Sequence, residues 1–220
     1  MRSSAKEIVV GARSSPLSQV QVDEVYALLQ NYYPEVTFVK KWFQTQGDLD
    51  QSTSLVSMEK TDFFTKEVDQ AVLQGVCRIG IHSAKDLPEP MPLGLTVVAC
   101  TQGVDPSDVL VLRDGETWEN LPLGAKIGTS SLRRERNIYA LRSDFICMDI
   151  RGTIEKRLSL LDAGTCDGLV IAKAALLRLR LERNMFPLEG EISPMQGRLA
   201  IVAKTSDVEM QELFLCLHKR

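Results

Sequence analysis

Residues 78–88 read Arg78-Ile79-Gly80-Ile81-His82-Ser83-Ala84-Lys85-Asp86-Leu87-Pro88. A short apolar run ends in serine, lysine and aspartate just before a proline. A buried strand delivering polar groups to its carboxyl end has this form, and open α/β sheets bind ligands at that end. Lys85 and Asp86 also fit a solvated turn, so the segment has to be weighed with the rest of the chain.

Upstream, Glu7 to Gly11 reads as a strand and leads into Ala12-Arg13-Ser14-Ser15-Pro16. Ser15 suits an N-cap and Pro16 the first helical position, so a helix is expected from there to about Tyr33. This layout sets Arg13 and Ser15 beside free backbone N–H groups that suit an anion, although an arginine in a surface loop would read the same way. A strand follows at Val36 to Phe43, then the turn Thr45-Gln46-Gly47-Asp48, a loop from Gln51 to Lys60 and a helix from about Asp62 to Gln74 that ends at Gly75.

Downstream of the opening segment, Leu95 to Cys100 reads as a strand, and Gly103 to Asp108 as a crossover into Val109 to Leu112. Ala125-Lys126-Ile127 runs into Gly128-Thr129-Ser130-Ser131-Leu132-Arg133-Arg134, where Ser130 or Ser131 can cap the next helix. Two arginines in a first helical turn oppose the helix dipole, a preference that a bound anion would reverse. A strand at Phe145 to Asp149 precedes Arg151-Gly152-Thr153 and a helix with Arg157. Gly168 to Ala172 is a strand, with Leu176 to Leu179 on a helix after it. Ile192 to Gly197 is a second crossover, leading to a strand at Leu199 to Val202 and a capping box at Ser206 to Glu209. The β and α patterns alternate throughout with no internal repeat, so the fold class is α/β.

Bulk properties narrow the function. The 220 residues are 44% apolar and 25% charged, and the net charge of −3 offers no basic field for nucleic acid or an anionic membrane. No window approaches the ~18 apolar residues of a membrane span, and the apolar run near the N-terminus is too short for a secretory signal, so a cytoplasmic location is expected. Five scattered cysteines without a CxxC pattern argue against a disulfide framework. Two distant histidines, His82 and His218, support neither a histidine-centred triad nor a zinc site, and no metal is expected. Chemistry must therefore rest on carboxylates, lysine and arginine.

The motifs His82-Ser83-x-Lys85-Asp86-x-Pro88, Gly11-x-Arg13-x-Ser15-Pro16-Leu17, Thr45-x-Gly47-Asp48 and Gly128-Thr129-Ser130-Ser131-x-Arg133-Arg134 resemble those of the hydroxymethylbilane synthase (porphobilinogen deaminase) family. The resemblance covers nearly the whole chain. It departs at Glu59-Lys60-Thr61-Asp62, where the family carries glycines, at Thr153, where it carries asparagine, and in the shortened second crossover. Lys173 stands where the family usually has a small or apolar residue and is assigned no role.

The resemblance implies two lobes of periplasmic-binding-protein type (type II) around a cleft, joined by two crossovers. Residues 1–102 with 198–220 would form lobe 1 and residues 103–197 lobe 2. The family's third, C-terminal domain, whose cysteine holds the dipyrromethane cofactor, is not expected within these 220 residues, which read equally as a fragment or a short form, and Cys216 does not match its motif. Implied activity is the head-to-tail condensation of four porphobilinogen units with release of ammonia, by a monomer that binds no nucleic acid. Asp86 would stabilise the cation left when ammonia departs. Arginine's planar fork suits the substrate's carboxylates, so the implied binding set is Arg13, Ser15, Lys85, Thr129, Ser130, Ser131, Arg133, Arg134, Arg151, Gly152, Arg157 and Arg178. The rival reading is a non-catalytic two-lobed binding protein for a small polycarboxylate or pyrrole, which would use the same arginines without Asp86.

Overall fold

A computed structural model describes residues 6–50 and 62–219. The loop expected from Gln51 to Lys60 and most of the departure at 59–62 lie outside the described residues. Elements follow in chain order as β1 (Lys6–Arg13), α1 (Pro16–Gln30), β2 (Val36–Phe43), α2 (Gln46–Leu49), α3 (Lys66–Leu73), β3 (Ile79–Ser83) and β4 (Leu95–Cys100). Next come β5 (Asp108–Leu112), β6 (Lys126–Gly128), α4 (Leu132–Leu141), β7 (Ile146–Met148), α5 (Ile154–Asp162), β8 (Gly168–Ala172), α6 (Lys173–Leu179) and β9 (Asn184–Leu188). The chain closes with β10 (Leu199–Lys204) and α7 (Val208–Phe214). The described residues form two compact units, one built from 6–50, 62–103 and 198–219, the other from 104–197.

In the first unit the strand order is β2-β1-β3-β10-β4. Strands β1, β2 and β3 run parallel, while β10 is antiparallel to β3 and β4. Because β1 and β3 are parallel neighbours, Arg13 and the turn after Ser83 emerge at the same sheet edge. Helix α1 buries Val22, Val25 and Leu29 on one sheet face with Ile8, Ile79, Ile81 and Phe214. Helix α3 packs Ala71 and Val72 on the other, with Cys77 and Val202.

The second unit has the order β7-β6-β8-β5-β9 and a core of Leu110, Leu112, Ile127, Ile138, Phe145 and Val170. Strand β5 is antiparallel to β8 with Asp108 opposite Ala172, so the amino end of β5 meets the carboxyl ends of β6 and β8. That register carries Asp108 to the Gly128–Arg134 segment.

Several local expectations are corrected. Helix α1 stops at Gln30, and α3 begins at Lys66 with Thr65 as its N-cap. The strand expected at Phe145–Asp149 spans only Ile146–Met148, and α6 starts directly at Lys173. The cap of α7 is Asp207, which accepts from Met210 N at 3.2 Å, rather than Ser206. Asp207 is fixed there by two bonds from Arg78 at 2.9 and 3.1 Å, a partner 129 residues away. Strand β9, which contains Pro187, lies where no element was assigned from the sequence. It is an edge strand, where a missing N–H can face away from the ladder.

Gly197 shows how tightly the second crossover is built. Its φ is +83°, and a Cβ there would lie 2.3 Å from the Asp105 carbonyl oxygen. Gly197→Ala is therefore expected to destabilise the fold by more than about 1 kcal/mol, read as a lowered melting temperature; an unchanged one would mean that the crossover relaxes freely.

Candidate active site

In the first unit, Asp86 ends a short 3-10 turn (Ala84–Asp86) directly after β3 and is half-buried. It lines a cavity of about 10 Å³ together with Arg13, Thr65, His82 and Ser83. Among the described residues Asp86 forms no ion pair or hydrogen bond. Lys85 lies in the same turn, half-buried. Ser83 accepts a bond from Gln21 Nε2 at 2.9 Å, which ties the turn to α1.

Arg13 is already engaged. Its Nε donates to Asp48 Oδ2 at 3.2 Å, its Nη2 donates to Asp48 Oδ1, and its guanidinium lies 4.8 Å from the Phe64 ring centroid. Burial alone would raise the Asp48 carboxyl, but Arg13 and the Thr45 N–H outweigh it and hold the group below the usual carboxylate range. The Thr45–Asp48 turn therefore positions Arg13, a role the spacing alone did not reveal. Gly47 permits it, since a Cβ there would sit 2.3 Å from the Phe64 ring. Ser15 acts as the expected cap of α1, accepting from Ser18 N at 3.3 Å.

His82, which lines the cavity, has its Nε2 3.1 Å from Asp69 Oδ1, both side chains buried. Sequence reading overlooked this pair, although Asp69 falls one turn after Thr65 on α3 and could have been placed on its inner face.

In the second unit the arginines converge on one buried carboxylate. Asp108 accepts from Arg133 Nη2 at 2.7 Å, Arg134 Nη2 at 2.6 Å and Gln196 Nε2 at 3.0 Å. Burial would raise the Asp108 carboxyl, yet the Arg134 and Arg133 charges hold it below the usual range. Asp108 and Gln196 were both missed. The one sequence signal for Asp108 is a carboxylate placed immediately before a wholly apolar run, Val109 to Leu112.

Three buried donors of this unit, Arg134 Nε, Arg157 Nε and Thr129 Oγ1, lack partners among the described residues. Arg157 Nη2 donates to the Val170 carbonyl at 3.0 Å, and burial with the nearby Arg134 charge pushes its guanidinium down to about 10. It remains charged at neutral pH, so the cluster carries more positive charge than Asp108 neutralises.

The other expected binding residues take local roles. Ser131 precedes α4 without a side-chain cap bond, while Ser130 Oγ bonds the Ile150 carbonyl at 2.6 Å and accepts from Ile150 N at 3.1 Å. Arg151 and Gly152 lead into Thr153, which caps α5 by accepting from Lys156 N at 3.4 Å. That explains the threonine, because threonine and asparagine both make good N-caps. Arg178 lies in the last turn of α6 and donates to the Gly197 carbonyl at 2.8 Å. Lys173 pairs with Asp105 at 3.0 Å at the other crossover.

A family model described as porphobilinogen deaminase, dipyromethane cofactor binding domain, matches residues 8–212. The chain belongs to the porphobilinogen deaminase family. A probable porphobilinogen deaminase of Chlamydia pneumoniae is 41% identical over 210 residues, covering 95% of this chain and 89% of that one. The porphobilinogen deaminase of Desulforudis audaxviator is 40% identical over 212 residues, covering 94% and 69%. A putative methionine-binding lipoprotein of Bacillus subtilis superposes with a TM-score of 0.57 at 14% identity, covering 99% and 92%. That likeness shows the fold alone, two periplasmic-binding-protein-like lobes of type II. As a porphobilinogen deaminase the chain is a transferase of tetrapyrrole biosynthesis, a hydroxymethylbilane synthase, and dipyrromethane is its cofactor.

The second unit fits such a group. A dipyrromethane carries acetate and propionate carboxylates, and the unbonded Arg134, Arg157 and Thr129 donors are what carboxylates require. The thiols fit covalent attachment poorly. All five cysteines are free, and burial pushes each thiol up from its ordinary value, away from the reactive thiolate.

Proposed function

We propose that the chain carries out its hydroxymethylbilane synthase reaction with Asp86 as the charge that stabilises the departing-ammonia step, and with Arg133, Arg134 and Arg157 as the carboxylate-binding group. One observation supports this most. Asp86 is the uncommitted carboxylate at a cavity where the nearest arginine, Arg13, is neutralised by Asp48. A carboxylate so placed attracts a developing cation instead of an anion. Dipyrromethane, when bound, supplies the primer to which porphobilinogen is added. The chain's own residues orient carboxylates through Thr129, Arg134 and Arg157, while Asp108 and Gln196 hold the arginines in register.

The proposed partner is the small molecule porphobilinogen, with the chain acting as a cytoplasmic monomer. Its net charge of −3 supports no role on nucleic acid. No helix among the described residues is long and apolar enough to cross a membrane.

Intact-protein mass measurement before and after incubation with porphobilinogen tests the reading. Discrete additions of pyrrole units that survive native conditions and disappear on denaturation are expected for a primer held by ionic contacts. An adduct that persists on denaturation and maps to a cysteine would refute the noncovalent attachment, and no addition under either condition would remove the polymerising activity.

A further inference from the structure

We propose that the cavity beside Asp86 is the receptacle of the substrate's aminomethyl nitrogen, holding it as ammonium before cleavage and as ammonia after it. This inference rests on the reading of Asp86 given above. At about 10 Å³ the cavity has room for one water-sized molecule, and ammonia is of that size.

The polar groups around it point to an N–H donor. Thr65 lines the cavity, is only 1% exposed, and its Oγ1 has no partner among the described residues. Although Thr65 is the N-cap of α3, its side chain makes no capping bond, so the usual use of a threonine there is absent. One turn further along, Asp69 Oδ2 is also buried and unbonded, behind the His82 ring. Glu67 and Asp69 in the first turn of α3 offset the positive end of its dipole, which would otherwise disfavour a cation. A substrate carboxylate suits the cavity less well, because Asp86 would repel it and Arg13 is already paired.

The chemistry uses both faces of a hydroxyl. Thr65 Oγ1 accepts from the ammonium N–H before cleavage. The C–N bond then breaks with its electron pair going to nitrogen, neutral ammonia departs, and the positive charge stays on the pyrrole methylene beside Asp86. The hydroxyl can now rotate and donate to the new lone pair. Ammonia takes up a proton from water once released.

Thr65→Val and Thr65→Ser test the idea, with calorimetric binding of porphobilinogen and of its analogue bearing methyl in place of aminomethyl. Valine is expected to weaken porphobilinogen about tenfold or more, the effect of one hydrogen bond to a charged group, and to leave the methyl analogue unchanged; serine should restore the difference. Ammonium chloride should compete with porphobilinogen in the wild type, unlike tetramethylammonium chloride at equal ionic strength, and the competition should weaken in Thr65→Val. Equal loss of both ligands in the valine variant, or competition by acetate in place of ammonium, would overturn the proposal. Normal turnover of Asp86→Asn with ammonium competition intact would instead sink only the role of Asp86.

Discussion

Asp86→Asn is expected to keep its fold and bind porphobilinogen while losing turnover by about 10²–10³-fold, the loss found when one preorganised electrostatic contact to a transition state is removed. Asparagine preserves the shape of the side chain and deletes its charge. Stability should hardly change, because Asp86 makes no hydrogen bond or ion pair among the described residues whose loss would be felt. The half-buried position matters here. A fully exposed carboxylate would be screened by water, whereas one lining a water-sized cavity keeps most of its attraction for a nearby cation. Steady-state turnover and calorimetric binding, measured on the same preparation, separate the two effects. Turnover within a few-fold of wild type would take Asp86 out of the mechanism.

The second large effect is expected at Asp108, and it falls on stability. This carboxylate is 1% exposed and bonds Arg133, Arg134 and Gln196 at once. Asp108→Asn would leave the Arg133 and Arg134 guanidiniums without the carboxylate they share, with the Arg157 charge near Arg134, and removing one partner of a buried ion pair costs about 3–5 kcal/mol. The same group makes the fold acid-sensitive in a defined direction. Its folded pKa is depressed, so its contribution is fully present above the usual carboxylate pKa and is lost as pH falls through the lower folded value. Urea unfolding at neutral and acidic pH should show a wild type that weakens on acidification and a variant that starts weaker and has lost that part of the pH dependence. A variant as stable as wild type at neutral pH would mean that the arginines are neutralised by something other than Asp108.

These two aspartates differ in how far the sequence exposed them. The turn that carries Asp86 was legible because its signal is local, an apolar run, a polar turn and a proline within eleven residues, while the role proposed for Asp86 came from the family resemblance. Ser15 was legible for the same reason, since a cap acts on N–H groups two or three residues away, whereas Thr153 stood out only as a departure from the family's asparagine. Asp108 gave only the hint of a charge before an apolar strand. Its importance comes from β5 running antiparallel to β8, which brings it to arginines 25 and 26 residues away. Arg13 was identified as a site residue, but its engagement by Asp48, 35 residues on, was not. Strand β9 also depends on sheet order, because Pro187 is tolerated in a strand that lies at the sheet edge.

The sequence by itself determined the α/β class, the order of most elements, the motifs of the porphobilinogen deaminase family and the turn that presents Asp86. The class, the element order and the turn rest on periodicity, capping and turn chemistry, which act across a few residues, and the family rests on the resemblance of its motifs. Only the tertiary structure decided which charges are spent on the fold and which remain available. Long side chains such as arginine choose partners according to strand order, strand direction and burial. A carboxylate dozens of residues away can therefore claim one arginine, as Asp48 claims Arg13, while the Nε of another, Arg157, is left buried without a partner among the described residues.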